Sequence, residues 1–206
     1  LVDTDELDEL LDADSGERVD SRAFLRARLL DLLIGDSDRH RKQWDWAKDA
    51  QTGRFVAVPN DRDLAFVRFD GVLPRFARSQ VPQLVKFDEE YPGAVSLHWQ
   101  SRFLDRRYLA DLEWPAWKQT VEELQDRLPD AAIDEAVSRL PPPYFRLNGP
   151  ALAARLKARR DGLGAAHPGA VGAHEPAEQV ESLDRAEAGD VTTEGPGDAP
   201  RVVHVE

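Results

Sequence analysis

The stretch Gly35-Asp36-Ser37-Asp38-Arg39-His40-Arg41-Lys42-Gln43-Trp44 decides how this 206-residue chain is read. On its N-terminal side runs an apolar segment with Phe24, Leu25, Ala27, Leu29, Leu32 and Leu33. Asp20 or Ser21 suits the N-cap of a helix there, and Gly35 suits its C-terminal stop. The second half of that helix is apolar on most faces, so it is predicted to be buried. On the C-terminal side, residues 44–47 and 55–58 flank the turn-rich Lys48-Asp49-Ala50-Gln51-Thr52-Gly53, the pattern of a β-hairpin. Pro59 stops the second strand, and residues 64–69 are predicted to be extended again. Trp44 and Trp46 fall on one strand face and read as core.

After the hairpin comes Pro59-Asn60-Asp61-Arg62-Asp63-Leu64-Ala65-Phe66. A hairpin returns the chain to its starting point, so Asp36, Asp38, His40, Asp61 and Asp63 are predicted to lie near one another. Clustered carboxylates repel and resist desolvation. The compensations on offer are a divalent cation with oxygen ligands and the neighbouring Arg39, Arg41, Lys42 and Arg62. Protein kinases give one such order of parts a mechanical meaning. An Asp accepts the substrate hydroxyl proton, a side-chain amide five residues on binds magnesium, and a later Asp grips magnesium on the phosphates. Here Asp38 and Gln43 stand five apart, and Asp63 follows the hairpin with Phe66 as a close aromatic.

On these residues, the stretch 35–44 resembles the catalytic loop of the atypical kinases: HipA-like kinases, phosphoinositide and related lipid kinases, and secretory-pathway kinases. The resemblance implies Asp38 as general base and His40 as a loop-organising or transition-state contact. It implies Gln43 as a magnesium ligand and Asp63 as the second metal ligand, with Asp61 as its alternative. Residues 32–40 followed by 59–66 are also similar to uncharacterised bacterial kinase-like regions, some of them within large envelope-associated multidomain proteins. Leu156-Lys157-Ala158-Arg159-Arg160-Asp161 and Leu163 fit the end of such a region. The resemblance spans residues 19–164, with its specific motifs in 35–66. It implies an α+β, mainly α fold: a kinase-like C-lobe with a small hairpin between catalytic and metal-binding loops. It implies Mg²⁺ or Mn²⁺ and ATP as cofactors, and a nucleotide and a hydroxyl-bearing acceptor as partners. Two departures stand out. Gln43 replaces the usual Asn, and no Gly-rich phosphate loop or strand-borne lysine precedes Asp38. The expectation is therefore a C-lobe without its N-lobe, completed by other parts of a larger polypeptide.

Plainer readings compete. Taken singly, Asp38, His40 and Gln43 are more often loop polars that cap a helix or strand. Arg39, Arg41 and Arg62 are more often carboxylate partners than substrate contacts. The functional alternative is a non-catalytic, pseudokinase-like α-rich interaction module. A metallophosphoesterase is a third reading, but its further Asp-x-His and Asn-His elements are missing. His98 beside Trp99 reads as structural, and His167, His174 and His204 are too scattered to form a metal cluster.

The wider chain sets the frame. The net charge of −12 argues against a nucleic-acid or anionic-membrane partner. It divides unevenly: −8 over residues 1–20, −7 over 165–206 and +3 between. The absence of Cys excludes disulfides and thiolate chemistry. No apolar run is long enough to span a bilayer, and the acidic N-terminus is not a signal peptide. Lacking Met and opening on Leu1, the chain reads as processed or as a piece of a longer one. Residues 1–18 are expected to be a solvated acidic segment in which Leu7, Leu10 and Leu11 can at most form a short amphipathic turn. Residues 19–164 hold every Trp, Phe and Tyr and form the core, while 165–206 are expected to be a disordered acidic tail. Within the core, a helix from Pro115 carries Trp117, Val121, Leu124 and Leu128 and ends at Pro129. Asp130 is predicted to cap the next, with Ile133, Ala136, Val137 and Leu140, stopped by Pro141, Pro142 and Pro143. Asn148 is predicted to cap the last, with Leu152, Leu156 and Leu163. Its basic Lys157, Arg159 and Arg160 suit its own dipole's C-terminal end.

Overall fold

The structure is a computed structural model and describes residues 1–68, 86–91 and 99–165. Its first elements overturn the reading of 1–18 as a solvated arm. β1 (Val2–Asp3) joins a sheet, and α1 (Thr4–Ala13) packs on it. Asp3 caps α1 by accepting the Glu6 N–H at 2.8 Å. Leu7 is 0% exposed, a burial that stabilises by about 1.5–3 kcal/mol. The acids are not idle. Asp5 and Asp8 pair with Arg41, and Asp8 and Asp12 with Arg107. An acidic composition marked this segment as solvated, yet its three-to-four-residue leucine spacing and its basic partners elsewhere in the chain make it a packed helix.

α2 (Ser21–Ile34) follows the sequence reading closely. Asp20 accepts the Ala23 N–H at 2.9 Å, and Gly35 terminates the helix at φ 71°. Only glycine suits Gly35: its φ is left-handed, and a Cβ there would meet the Phe87 ring at 2.7 Å. The hairpin also matches, as β2 (Trp44–Lys48) and β3 (Phe55–Pro59), antiparallel from Trp44 opposite Pro59 to Lys48 opposite Phe55. β1 lies on the other edge of β2, with Val2 opposite Trp46, so the order is β1-β2-β3. The extended reading of 64–69 holds only in part: Arg68 pairs with Lys86 in an isolated antiparallel bridge. Residues 63–66 form a turn and Phe66 sits at φ 64°, while Phe69 lies outside the described residues.

Four further helices close the described fold. α3 (Arg102–Leu109) has no counterpart in the sequence reading, because Arg102, Asp105, Arg106 and Arg107 interrupt the apolar Leu104, Tyr108 and Leu109. α4 (Trp114–Arg127) begins with Pro115 in its first turn, buries Trp117 and Val121, and leaves Trp114 exposed. α5 (Asp130–Ser138) has Asp130 inside its first turn and Pro129 at the cap. α6 (Pro142–Gly162) starts six residues before Asn148, the residue expected to cap it. Pro142 and Pro143 begin this helix rather than bar it, since a first-turn proline lacks only an N–H that has no intrahelical partner.

Phe24, Trp44, Trp46 and Tyr108 form the aromatic centre. Phe24 lies 5.1 Å from Trp44, and Trp46 lies 4.9 Å from Tyr108. The sheet thus packs on α2 and α3, and Trp44 and Trp46 are core as expected. Ile133, Val137 and Ala153 form a smaller cluster between α5 and α6. The described chain is α+β and mainly helical. No described helix is long and apolar enough to cross a membrane. The expected tail, with His167, His174 and His204, falls almost wholly outside the described residues, as does His98.

Candidate functional site

Residues 35–43 link α2 to β2, and residues 60–66 leave β3. The hairpin brings the two polar loops together, and their backbones are joined. The Asn60 N–H donates to the Gln43 carbonyl at 2.9 Å, and the Phe66 N–H donates to the Ile34 carbonyl at 2.9 Å. Arg39 ties the loops a second time. Its guanidinium donates to the carbonyls of Gln43 (3.0 Å), Asn60 (2.8 Å) and Asp61 (2.5 Å). It also lies over the Trp44 ring, 4.4 Å from the centroid. A planar five-donor fork can serve several carbonyls at once, which a lysine cannot.

The residues singled out in the sequence occupy this junction in different states. Asp38 and His40 are both half-buried, with His40 Nε2 3.9 Å from Asp38 Oδ2, outside hydrogen-bonding reach. His40 Nδ1 accepts the Lys42 N–H at 3.2 Å. In the neutral ring the proton therefore sits on Nε2, on the side of Asp38. Gln43 is 8% exposed, and its side-chain oxygen has no hydrogen-bond partner among the described residues. A buried acceptor left unpaired costs about 1–3 kcal/mol. Asp61 is exposed at φ 44° and accepts the Asp63 N–H at 3.1 Å, a tight turn that its own side chain closes. Asp63 is exposed as well. Among the described residues, no three His, Asp or Glu side chains gather closely enough to hold a metal ion.

The sequence reading missed the charge centre beneath the loops. Asp31, in the last turns of α2, is 0% exposed. Three arginines converge on it: Arg28 at 3.2 Å, Arg39 at 3.3 Å and Arg62 at 3.1 Å. Arg28 extends the network to Asp105 at 2.8 Å and Ser101 at 2.5 Å. Arg39 also pairs with Asp36 at 3.5 Å. Burial pushes the Asp36 carboxyl up to about 6; Arg39 opposes the rise and Asp31 adds to it. So Arg39 and Arg62 are carboxylate partners, but of Asp31 and Asp36 rather than of Asp38, Asp61 or Asp63. Arg41 serves α1 instead. A signal was present in the sequence: Arg28 and Asp31 stand three apart on a helix otherwise apolar there, a pairing distance on one helix face.

The chain matches no protein-family description, no curated protein and no solved structure.

The donor chemistry can still be tested against a cation. Gln43 offers an unpartnered buried amide oxygen, and Asp63 and Asp61 offer carboxylates on the loop joined to the Gln43 backbone. An all-oxygen set fits a hard divalent ion such as Mg²⁺.

Proposed function

We propose that the two joined loops are the phosphoryl-transfer half of a kinase-like site, acting with Mg²⁺ or Mn²⁺ and ATP on a hydroxyl-bearing acceptor. The observation that carries this reading is the unpartnered, buried side-chain oxygen of Gln43. It stands five residues after Asp38, on a residue whose backbone is bonded to the loop of Asp61 and Asp63. Gln43 and Asp63, with Asp61 as the alternative to Asp63, hold the ion. When bound, that ion supplies charge neutralisation to the phosphate oxygens. Among the described residues no arginine pairs with the Asp38 carboxylate, because Arg39 and Arg62 are committed to Asp31 and Asp36. It takes the proton of the acceptor hydroxyl. His40 presents its Nε2 side to Asp38 and steers that carboxylate. The remaining grip on the nucleotide comes from outside residues 35–66, as residues 1–37 contain no Gly-rich loop.

The test is a melting experiment with the chain in Mg²⁺ or Mn²⁺. Metal should raise the melting temperature, Gln43→Ala and Asp63→Ala should each remove the shift, and Asp38→Ala should keep it. A folded sample that does not respond to either metal rejects the reading and leaves the non-catalytic interaction module.

A further inference from the structure

We infer that Asp31 and Arg62 are positioning residues that set the spacing between the Asp38 loop and the Asp61–Asp63 loop. This rests on the kinase-like reading above and adds to it the device that aligns the two halves. The geometry is a single buried carboxylate shared by three elements. Arg28 comes from α2 itself, Arg39 from the loop that carries Asp38, and Arg62 from between the two candidate metal-binding carboxylates. Both Asp31 oxygens are used, Oδ2 by Arg28 and Arg39 and Oδ1 by Arg62. Arg62 donates from Nε to Asp31 Oδ1 at 3.1 Å, and a terminal nitrogen lies 3.1 Å from the same oxygen, so the loop is held to a charged, buried acceptor.

A buried ion cluster is a poor choice for stability alone, since the desolvation of each charge rivals the attraction it gains. Apolar residues of like volume would fill the same space in α2 at less cost. What they could not do is hold two separate loops to one point. Among the described residues, the other hydrogen bonds seen between the loops are those of Arg39 and single backbone bonds. Arg62 is the only described side chain of the 60–66 loop that pairs with α2. Asp61 and Asp63 flank it, so a slip of Arg62 moves both. Asp31 therefore acts on metal binding through Arg62 and on Asp38 through Arg39, without touching a ligand itself.

The experiment measures Mn²⁺ affinity by calorimetry on the full chain, with hydrogen exchange across residues 60–66 as a second readout. Arg62 is partly exposed, so Arg62→Gln should fold. It is expected to weaken Mn²⁺ binding five- to tenfold and to speed exchange at the Phe66 amide, with the melting temperature of the metal-free protein near the parent's. Arg62→Lys, which restores a charge to Asp31, should recover most of the affinity. Asp31→Asn should weaken binding at least as much as Arg62→Gln; where it fails to fold, the two Arg62 variants decide. If the parent binds Mn²⁺ and Arg62→Gln binds it equally well, the positioning role is overturned and the kinase-like reading stands. If the parent does not bind Mn²⁺, the kinase-like reading falls and this role falls with it.

Discussion

Asp36 is buried to 1% exposure beside a second buried carboxylate, Asp31, and its nearest cation is Arg39 at 3.5 Å. Arg28 also faces it, and the Asp38 N–H donates to it at 3.4 Å. Burial wins, lifting its titration to about 6 against an unfolded value of about 3.9. A raised folded value means that the folded state holds the proton more tightly. The stability this group lends is fully present below about pH 4 and is lost as pH rises through about 6. Urea unfolding of the parent between pH 4 and pH 8 should therefore show a loss on the order of 2 kcal/mol that Asp36→Asn lacks. Equal pH slopes for the two proteins would show that Asp36 titrates as an ordinary surface acid. Asp36 was singled out in the sequence as one of a carboxylate cluster. Its burial and its pairing with Arg39 were not legible there, because they depend on Asp31 at the end of α2 and on Arg39, which the carbonyls of the loop after the hairpin hold in place.

At the scale of elements, α1 is where composition and structure part. Nine acids in the first twenty residues suggest a solvated segment, but Leu7 inserts fully into the core and Leu11 packs against it. Thr4 at its start donates its hydroxyl to the Arg41 carbonyl at 2.9 Å and accepts the Trp46 indole N–H at 3.0 Å. The helix thus braces the start of β2 and the residue next to His40. Leu7→Ala should cost about 2–5 kcal/mol in chemical denaturation, the usual penalty for a cavity in a core. A cost under ~0.5 kcal/mol, as for a surface change, would return α1 to the status of a loose arm. α2 and the β2–β3 hairpin were legible because their signals are local: Asp20 and Gly35 at the helix ends, Gly53 in the turn, and alternating Trp44 and Trp46. α3 was not, because Asp105 and its arginines hide a pattern whose meaning lies in Arg28, 77 residues earlier.

Across the whole molecule, Arg159 joins the end of the chain's longest described helix to the base of the candidate site. It is 0% exposed and donates to the carbonyls of Leu32 (2.6 Å) and Leu33 (2.8 Å), the last turn of α2. It also reaches the carbonyls of Asp88 and Glu90 and lies over the rings of both Phe87 and Tyr91. The sequence reading gave Arg159 to the C-terminal dipole of its own helix. It satisfies instead the carbonyl end of a different helix, 127 residues away in sequence. Arg159→Met should lower stability by about 3 kcal/mol or more, since several buried carbonyls lose their donor together. Arg159→Lys should recover little, because a point charge cannot fan out to four carbonyls while covering two rings. Thermal melting of both variants gives the answer, and a lysine variant as stable as the parent would reduce Arg159 to a simple charge.

The sequence by itself determined the elements whose signals are local: the capped α2, the hairpin after it, the Pro-started α4, and the ordered set Asp38, His40, Gln43, Asp61 and Asp63. It also fixed the residue types that make oxygen-donor and proton-transfer chemistry conceivable, and the absence of thiol chemistry. Only the tertiary structure decided that the acidic N-terminus is a packed helix and that Arg39 ties the two polar loops. The same holds for Asp31, a lone acid in an apolar run, which becomes the anchor for three arginines. The physical reason is one of range. Caps, turns and strand alternation act over a few residues and leave their pattern in the order of the chain. The buried Asp31 has one counter-charge legible nearby in Arg28, but Arg39 and Arg62 reach it only once the fold brings their loops to α2.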